Sequence, residues 1–259
     1  MSTPSPIAAA DFIAGMGKGM AVLESFDTQR QRLNATLASQ RAGLTRAAAR
    51  RHLLTLAHLG YLETDGSYFW LSAKVLRFSG SYLASAQLPR TLLPTLNQLA
   101  TLTRDSYSAV VLDDDEVVII ARSDALHGST QGLAYGLHLG ARLPAHATST
   151  GRVMLAAKSK TEFSTWLKGR TLTRLTARTT NEPKALRALV EQVRVNDYCL
   201  AQDEHEVGVT ALAVPLRNAQ GKTVAALNLV ATSAVSAQAL LRERLPVLTD
   251  AAKALRALL

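Results

Sequence analysis

Cysteine is nearly absent from this sequence of 259 residues, in which Cys199 is the single example. One cysteine excludes an internal disulfide framework and favours a reducing compartment. Residues 1–14 have neither the basic start nor the apolar run of about 7–15 residues that a secretory signal peptide requires. We therefore expect a flexible N-terminal tail on a cytoplasmic protein.

Long hydrophobic runs are missing as well. The longest uncharged stretch, residues 223–241, has the length of a membrane span but contains Asn228, Gln238 and many serines and threonines. Membrane helices are predominantly apolar. We interpret this stretch as a strand, a serine-capped turn and the start of a helix, and we expect no membrane partner.

The motifs of common enzyme classes do not occur. There is no His-Glu-x-x-His, Cys-x-x-Cys, Gly-x-Ser-x-Gly or phosphate-binding glycine-rich motif, and the six histidines show no ligand spacing. Cys199 and His205 have no further support as a nucleophile pair. The acids at 113–116 suggest a metal site, but they flank a hairpin turn and alternate in direction. We expect no catalytic residue, metal or cofactor.

Acidic residues are missing from one interval that is rich in arginine. None occurs between Asp27 and Glu63, although the formal net charge of the chain is +9. An excess of positive charge favours an anionic partner, either nucleic acid or a membrane surface. The arginines of this interval are Arg30, Arg32, Arg41, Arg46, Arg50 and Arg51.

The pattern around these arginines predicts two helices separated by a glycine turn. Asn34 and Thr45 are suitable N-cap residues, Gly43 separates the helices, and Gly60 ends the second one. A hairpin follows, because Asp-Gly at 65–66 is a strong turn signal between two β-rich runs.

A further helix precedes this pair. Apolar residues at Met16, Met20, Leu23 and Phe26 follow helical spacing, so we expect this face to be buried. Three helices and a hairpin make a winged helix-turn-helix.

The third helix, which begins RAAARR, is suited to contact DNA. Its small alanines let the backbone approach the major groove, while its arginines reach guanine edges or phosphates. The alternative is that these arginines form a solvated helix face, as most charged surface residues do. The residues expected to contact DNA are Arg30, Arg32, Arg41, Thr45, Arg46, Ala47, Arg50, Arg51 and Ser67.

The rest of the chain alternates helical and β-rich segments. A linking helix follows the hairpin, and Pro89 and Pro94 are expected to interrupt the next one. Strand pairs flank the acidic turn and the segment RNAQGK, and a C-terminal helix from Ser236 breaks at Pro246. Antiparallel hairpins with helices predict an α+β domain with a sheet backed by helices.

Three segments carry a resemblance to a known family. They are GLTRAAARRHLLTLAHLGYLETDGSYFWLSAKVL, LPAHATSTGRVMLA and EVGVTALAVPLRNAQGKTVAALNLVA. From about Gly15 onward the chain resembles the IclR family of bacterial transcriptional regulators, and within it the subgroup controlling catabolism of aromatic acids. The resemblance implies a winged helix-turn-helix at 15–72, a linker helix at 73–86 and a GAF-like effector-binding and oligomerisation domain at 87–259.

The start of the helix after TST is a candidate ligand site. Backbone N–H groups at Ser149, Thr150 and Gly151 would attract a carboxylate. His146 is a further candidate donor. The resemblance implies that Ser149 and Thr150 contribute pocket backbone, and that further side chains line the pocket. These are Tyr135, Ala201, Ala211, Asn228 and Val230.

Two of these positions suggest the ligand class. Ala201 stands where family members that bind small keto acids have aspartate, and Tyr135 stands where they have an aliphatic residue or methionine. Losing a charge and gaining a ring suits a larger, flat ligand. An equal alternative for Tyr135 is a half-buried core residue.

The sequence and the resemblance together predict a regulator of a catabolic operon. It would bind operator DNA as a homodimer or homotetramer and sense an aromatic carboxylate such as p-hydroxybenzoate, protocatechuate or terephthalate. Two alternatives stay open. One is a ligand-transforming enzyme with a tethered DNA-binding domain, and the other is a constitutive DNA-binding protein whose C-terminal domain only oligomerises.

Overall fold

The chain divides into two compact units, residues 2–82 and 83–259. A computed structural model describes residues 7–27, 30–123, 138–232 and 235–259. None of the described helices is long and apolar enough to cross a membrane.

The N-terminal unit begins with three helices, α1 (Ala14–Leu23), α2 (Ala35–Ala42) and α3 (Arg46–His58). The predicted caps are present. The Asn34 side chain accepts hydrogen bonds from two backbone N–H groups of α2, and the Thr45 hydroxyl accepts one from the N–H of Ala48. Gly43 ends α2 in the left-handed conformation, with φ of 64°, which glycine adopts at little cost.

The predicted hairpin is formed by β1 (Leu62–Thr64) and β2 (Phe69–Leu71), which pair antiparallel. The Asp65 carboxylate closes the turn by accepting the N–H groups of Ser67 and Tyr68. These two bonds lower the pKa of Asp65.

The buried face of α1 differs from the prediction. Met16 and Met20 are 68% and 50% exposed, whereas Val22 is fully buried. Phe26 is buried as predicted, but it lies beyond the end of the helix. The spacing identified a helix correctly, and the predicted Leu23 does pack against the core, but the burial predicted for Met16 and Met20 is wrong because apolar residues occur on more than one side of α1.

A short 3-10 turn (Ala73–Val75) leads into α4 (Leu76–Ser85), and α5 (Gln87–Thr103) follows after one residue. The expected interruption by proline is wrong. Pro89 lies in the first turn of α5, where its missing N–H would be unpaired in any case, and the helix continues through Pro94. Five buried residues of α5, Pro89, Leu92, Leu96, Leu99 and Ala100, hold it against the core.

The C-terminal unit contains a six-stranded antiparallel sheet, which agrees with the predicted α+β class. The strands are ordered β5-β4-β3-β8-β7-β6. They comprise β3 (Ser106–Asp113), β4 (Glu116–Arg122), β5 (Arg142–Pro144), β6 (Cys199–Gln202), β7 (Val209–Arg217) and β8 (Thr223–Thr232).

Helices cover both faces of this sheet. One apolar core joins the sheet to α5, α9 and α10, and a second core joins the other face to α6, α7 and α8. The break near Pro246 is present, since α9 ends before it and α10 has it in the first turn. The helix bounds are α6 (Ser149–Ala156), α7 (Lys160–Leu167), α8 (Pro183–Asn196), α9 (Ala237–Glu243) and α10 (Leu245–Leu255).

The acidic turn between β3 and β4 is held by two arginines. Arg142 donates to Asp113 and Glu116 at 2.8 and 2.6 Å. Arg170 pairs with the two acids at the tip of the turn, Asp114 and Asp115. These ion pairs give the four acids a structural role at the end of the hairpin.

Candidate functional site

The polar face of α3 presents unpaired positive charge. Arg46, Arg50 and Arg51 are exposed, and their guanidinium groups form no hydrogen bond or ion pair with the parts of the chain that the structure describes. Ala47 is exposed beside them, and Thr45 caps the helix start. The opposite face is anchored by Ala49 and Leu53, both fully buried. The helix therefore offers a rigid cationic surface.

Two other arginines of this interval are neutralised by acids that lie outside it in sequence. The Arg41 guanidinium pairs with Asp27. Arg32 lies 3.4 Å from Asp65, with its guanidinium 4.1 Å from the ring centre of Trp70. Acidic residues are therefore close to these two arginines in the folded structure, although none occurs in this interval of the sequence.

The remaining predicted DNA contacts lie on connecting segments. Arg30 is exposed, and its backbone N–H donates to Asp27. Ser67 is exposed in the hairpin loop, where its N–H donates to Asp65.

A cavity lies between the sheet and α6 in the C-terminal unit and encloses about 710 Å³ when its opening to solvent is included. Residues two apart on a strand face the same side, so three strands each contribute a pair to its floor. The pairs are Ser108 and Val110, Val209 and Ala211, and Asn228 and Val230.

Strand register brings four of the predicted pocket residues together. Ala201 is opposite Ala211, which is opposite Val230 on its other side. Asn228 also lines the cavity, and its side-chain oxygen accepts a 2.6 Å hydrogen bond from the Ser108 hydroxyl. The two alanines leave room above the sheet, and this bond fixes the Asn228 amide at the floor.

The first turn of α6 forms a polar part of the cavity wall. Ser149 and Thr150 both line the cavity. Their backbone N–H groups precede the first intrahelical bond, which Arg152 makes to Thr148. Ser149 is 1% exposed, and its hydroxyl has no hydrogen-bond partner in the described structure. A buried hydroxyl without a partner is unfavourable and is suited to bind a ligand.

The other predicted pocket residues are placed differently. The N–H of Gly151 donates to the Thr148 hydroxyl, and a Cβ at Gly151 would lie 2.1 Å from the carbonyl oxygen of Ala145. The His146 ring is 3.0 Å from the Thr173 carbonyl oxygen. Neither residue is among the described residues that line the cavity. Tyr135 lies outside the described residues.

An ion pair with a fully buried arginine supports the cavity wall. Arg152 is 1% exposed and donates to both oxygens of Glu204, a residue that lines the cavity. The N–H of Thr180 donates to the same carboxylate at 2.9 Å. Burial alone would raise the pKa of Glu204, but Arg152 and Thr180 hold it below its usual value. Glu204 is therefore a carboxylate at neutral pH.

Two further groups near the cavity are uncharged at neutral pH. Burial lowers the pKa of His205 despite the neighbouring charge of Glu206. Burial likewise raises the pKa of the Cys199 thiol to about 11, although Arg152 lies close to it. Cys199 is thus a core residue without thiolate character.

The sequence did not identify most of the cavity. The segment EHE at residues 204–206, between β6 and β7, contributes a charged side of the wall. Its charge, in a connection between two strands, was the only signal of this in the sequence. The lining residues that were not predicted are Ser108, Val110, Ile119, Leu143, Ala147, Thr148, Glu204, His205, Glu206 and Val209.

Two family descriptions, taken together, match nearly the whole chain. Residues 16–66 match the IclR helix-turn-helix domain, and residues 80–257 match the bacterial transcriptional regulator IclR C-terminal domain. The chain belongs to the IclR family. Within this IclR-family chain, the first match contains α2 and α3, and the second contains the sheet that carries the cavity.

Two curated relatives of this IclR-family chain come from Acinetobacter baylyi. The chain is 50% identical to a Pca operon regulatory protein over 96% of its length and 90% of the relative. It is 48% identical to a p-hydroxybenzoate hydroxylase transcriptional activator over 95% of its length and 92% of the relative.

A solved structure also resembles the C-terminal unit. It is the inducer-binding domain of a PobR double mutant from Acinetobacter, in complex with 3-hydroxybenzoic acid. It is 42% identical with a TM-score of 0.63, and the match covers 66% of this IclR-family chain and 98% of that domain.

Proposed function

We propose that this chain regulates a catabolic operon by binding operator DNA through its N-terminal unit and a small aromatic carboxylate through its C-terminal cavity. The observation that carries the ligand assignment is Ser149, a residue of the cavity wall whose buried hydroxyl has no hydrogen-bond partner in the described structure. The two N–H groups at the start of α6 complete a set of donors for one carboxylate. Apolar and small side chains next to them suit an aromatic ring.

The relatives support a narrower choice of ligand class for this cavity. One is named for activating p-hydroxybenzoate hydroxylase, and a similar domain binds 3-hydroxybenzoic acid. We therefore assign a hydroxybenzoate-type acid to this cavity, in contact with Ala201, Ala211 and Asn228. We also extend the assignment to Tyr135 as a residue that contacts the ring.

The N-terminal unit supports operator binding through α3. Arg46, Arg50 and Arg51 are exposed and unpaired within the described structure, so they can contact bases or phosphates without first breaking an ion pair. Recognition of two half-sites requires at least a homodimer, and we propose a homodimer or homotetramer acting in the cytoplasm.

A regulator accounts for the cavity better than an enzyme does. The Cys199 thiol is buried and has a pKa of about 11, so it is a poor nucleophile. The carboxylate of Glu204 is occupied by Arg152 and Thr180. These contacts support binding of a ligand without its conversion.

The test combines ligand and DNA binding by the full chain. We expect 4-hydroxybenzoate or protocatechuate to raise the melting temperature, because a ligand at 100 times its dissociation constant stabilises by about 2.7 kcal/mol. The same acid should alter the affinity for operator DNA and be recovered unchanged after incubation. Turnover of the acid would favour the tethered-enzyme alternative, and DNA binding indifferent to every acid would favour the constitutive one.

A further inference from the structure

One side of the cavity is acidic. Glu204, His205 and Glu206 line it consecutively in the connection between β6 and β7. Glu204 is paired with Arg152. Glu206 is exposed and forms no ion pair with a described residue, so its negative charge is uncompensated there. Because burial lowers the pKa of His205, its ring adds no positive charge at neutral pH.

A second, independent feature shows that the cavity is built for a polar ligand. Ser149, which is 1% exposed, lines the same cavity, and its hydroxyl has no partner in the described structure. With the N–H groups of Ser149 and Thr150 it can bind one carboxylate. The cavity therefore has one region of donors and one region of carboxylates, and a ligand must satisfy both.

We infer that the cavity selects a benzene ring with a single carboxylate and a hydroxyl group over a benzenedicarboxylate, and that Glu206 determines this specificity. The inference rests on the function proposed above. A ring hydroxyl can donate to a glutamate carboxylate in a charge-assisted hydrogen bond. A second carboxylate on the ligand has no proton to donate at neutral pH and is repelled by the same glutamate carboxylate.

The structure separates the roles of the two glutamates. Glu204 has its oxygens occupied by Arg152 and the N–H of Thr180, and it holds the wall in place. Glu206 has no such partner among the described residues and lines the cavity, so its carboxylate is available to a ligand. Substituting Glu206 changes the charge of the cavity without leaving the buried guanidinium of Arg152 unpaired.

The experiment is isothermal titration of the full chain with 4-hydroxybenzoate, benzoate and terephthalate. We expect 4-hydroxybenzoate to bind the parent at least about tenfold more tightly than terephthalate. In Glu206→Gln, terephthalate should gain at least about fivefold, whereas 4-hydroxybenzoate should not gain. Benzoate, with one carboxylate and no hydroxyl, should fall between the two acids in the parent.

Two further variants control this result. Glu182→Gln removes the same charge from the start of α8, where the side chain makes no capping bond, and should leave the affinities unchanged. Ser149→Ala removes the hydroxyl that meets the common carboxylate, so it should weaken all three acids by a similar factor. Melting temperatures of the variants verify that each is folded.

Three outcomes would overturn the inference alone. They are equal affinity of the parent for terephthalate and 4-hydroxybenzoate, an equal shift of both acids in Glu206→Gln, and the same shift in Glu182→Gln. Failure of all three acids to bind would remove the proposed function, and the inference with it.

Discussion

Ala201 is the residue at which a single charge should most affect ligand binding. It is 6% exposed, lines the cavity and lies opposite Ala211. A carboxylate here would be poorly solvated and would repel an anionic ligand. We expect Ala201→Asp to raise the dissociation constant of 4-hydroxybenzoate at least about 100-fold, as measured by isothermal titration.

The matched control is Ala201→Asn, because asparagine has nearly the same size as aspartate but carries no charge. It should lose much less affinity than Ala201→Asp. If both variants bind like the parent, residue 201 does not contact the ligand.

Arg152 and Glu204 form the pair whose disruption should most reduce stability. Removing one partner leaves the other charge buried, at a cost of about 3–5 kcal/mol, whereas replacing both is far less costly. We therefore expect Glu204→Gln to lower the free energy of unfolding by about that amount at pH 7. The double variant Arg152→Met with Glu204→Gln should be more stable than Glu204→Gln alone in urea unfolding.

The pH dependence of this pair follows from the lowered pKa of Glu204. A carboxyl group whose pKa is lower in the folded state stabilises the fold above its unfolded pKa, and that stability is lost as the pH falls through the folded pKa. The difference in stability between the parent and Glu204→Gln should thus shrink below about pH 4.3. A difference that stays constant from pH 7 to pH 3 would contradict this.

At the scale of elements, α3 is the helix whose exposed side chains should matter for DNA binding. Arg46→Ala with Arg50→Ala should weaken operator binding with little effect on folding, because neither arginine has a partner among the described residues. Loss of a base contact costs about 1–3 kcal/mol and relaxes specificity, whereas loss of a phosphate contact reduces the salt slope by about one. Fluorescence anisotropy with operator DNA at several salt concentrations measures both.

The control for this pair is Arg242→Ala, which removes an exposed arginine of α9 that pairs with the adjacent Glu243. It should leave operator affinity unchanged. Unaltered affinity in the α3 variant would show that α3 is not the recognition helix.

Elements defined by local signals were predictable from the sequence. The caps Asn34 and Thr45 and the turn at Asp65 act on neighbours within a few residues, so the sequence contains all that they require. The buried face of α1 was not predictable, because the choice between Met16 and Val22 depends on what packs against the helix. Pro94 likewise fits α5 because packing outweighs local propensity.

The cavity shows the same limit more strongly. The family resemblance supplied Ala201 and Asn228, but Glu204 and Ser108 reach the cavity through pairings over long sequence separations. Such pairings leave no periodic signal in the chain. The pairing of Arg41 with Asp27 was missed for a related reason. A count of charges along the sequence does not show which charged residues the fold brings together.

For the whole molecule, the division between residues 82 and 83 predicts separable activities. Residues 83–259 contain both cores of the second unit and all described residues that line the cavity. We expect this fragment to fold, to bind 4-hydroxybenzoate with an affinity close to that of the full chain and to show no binding to operator DNA. Circular dichroism, titration and anisotropy measure the three properties.

A fragment that is folded but does not bind the acid would show that residues 2–82 contribute to the ligand site. Analytical ultracentrifugation of the same fragment tests whether it carries the proposed oligomerisation.

The edges of the six-stranded sheet constrain how such an oligomer can assemble. Among the described residues, the outermost strands are β5, with three residues, and β6, with four. Long exposed edges recruit strands from other chains and promote aggregation, whereas short edges and proline discourage it. Because β5 also ends at Pro144, which has no N–H to donate, the β5 edge is a poor template for a strand of a neighbouring molecule. Copies of this unit are therefore expected to associate through helices or loops more readily than through these two described edges, whose short length also disfavours edge-to-edge fibril growth.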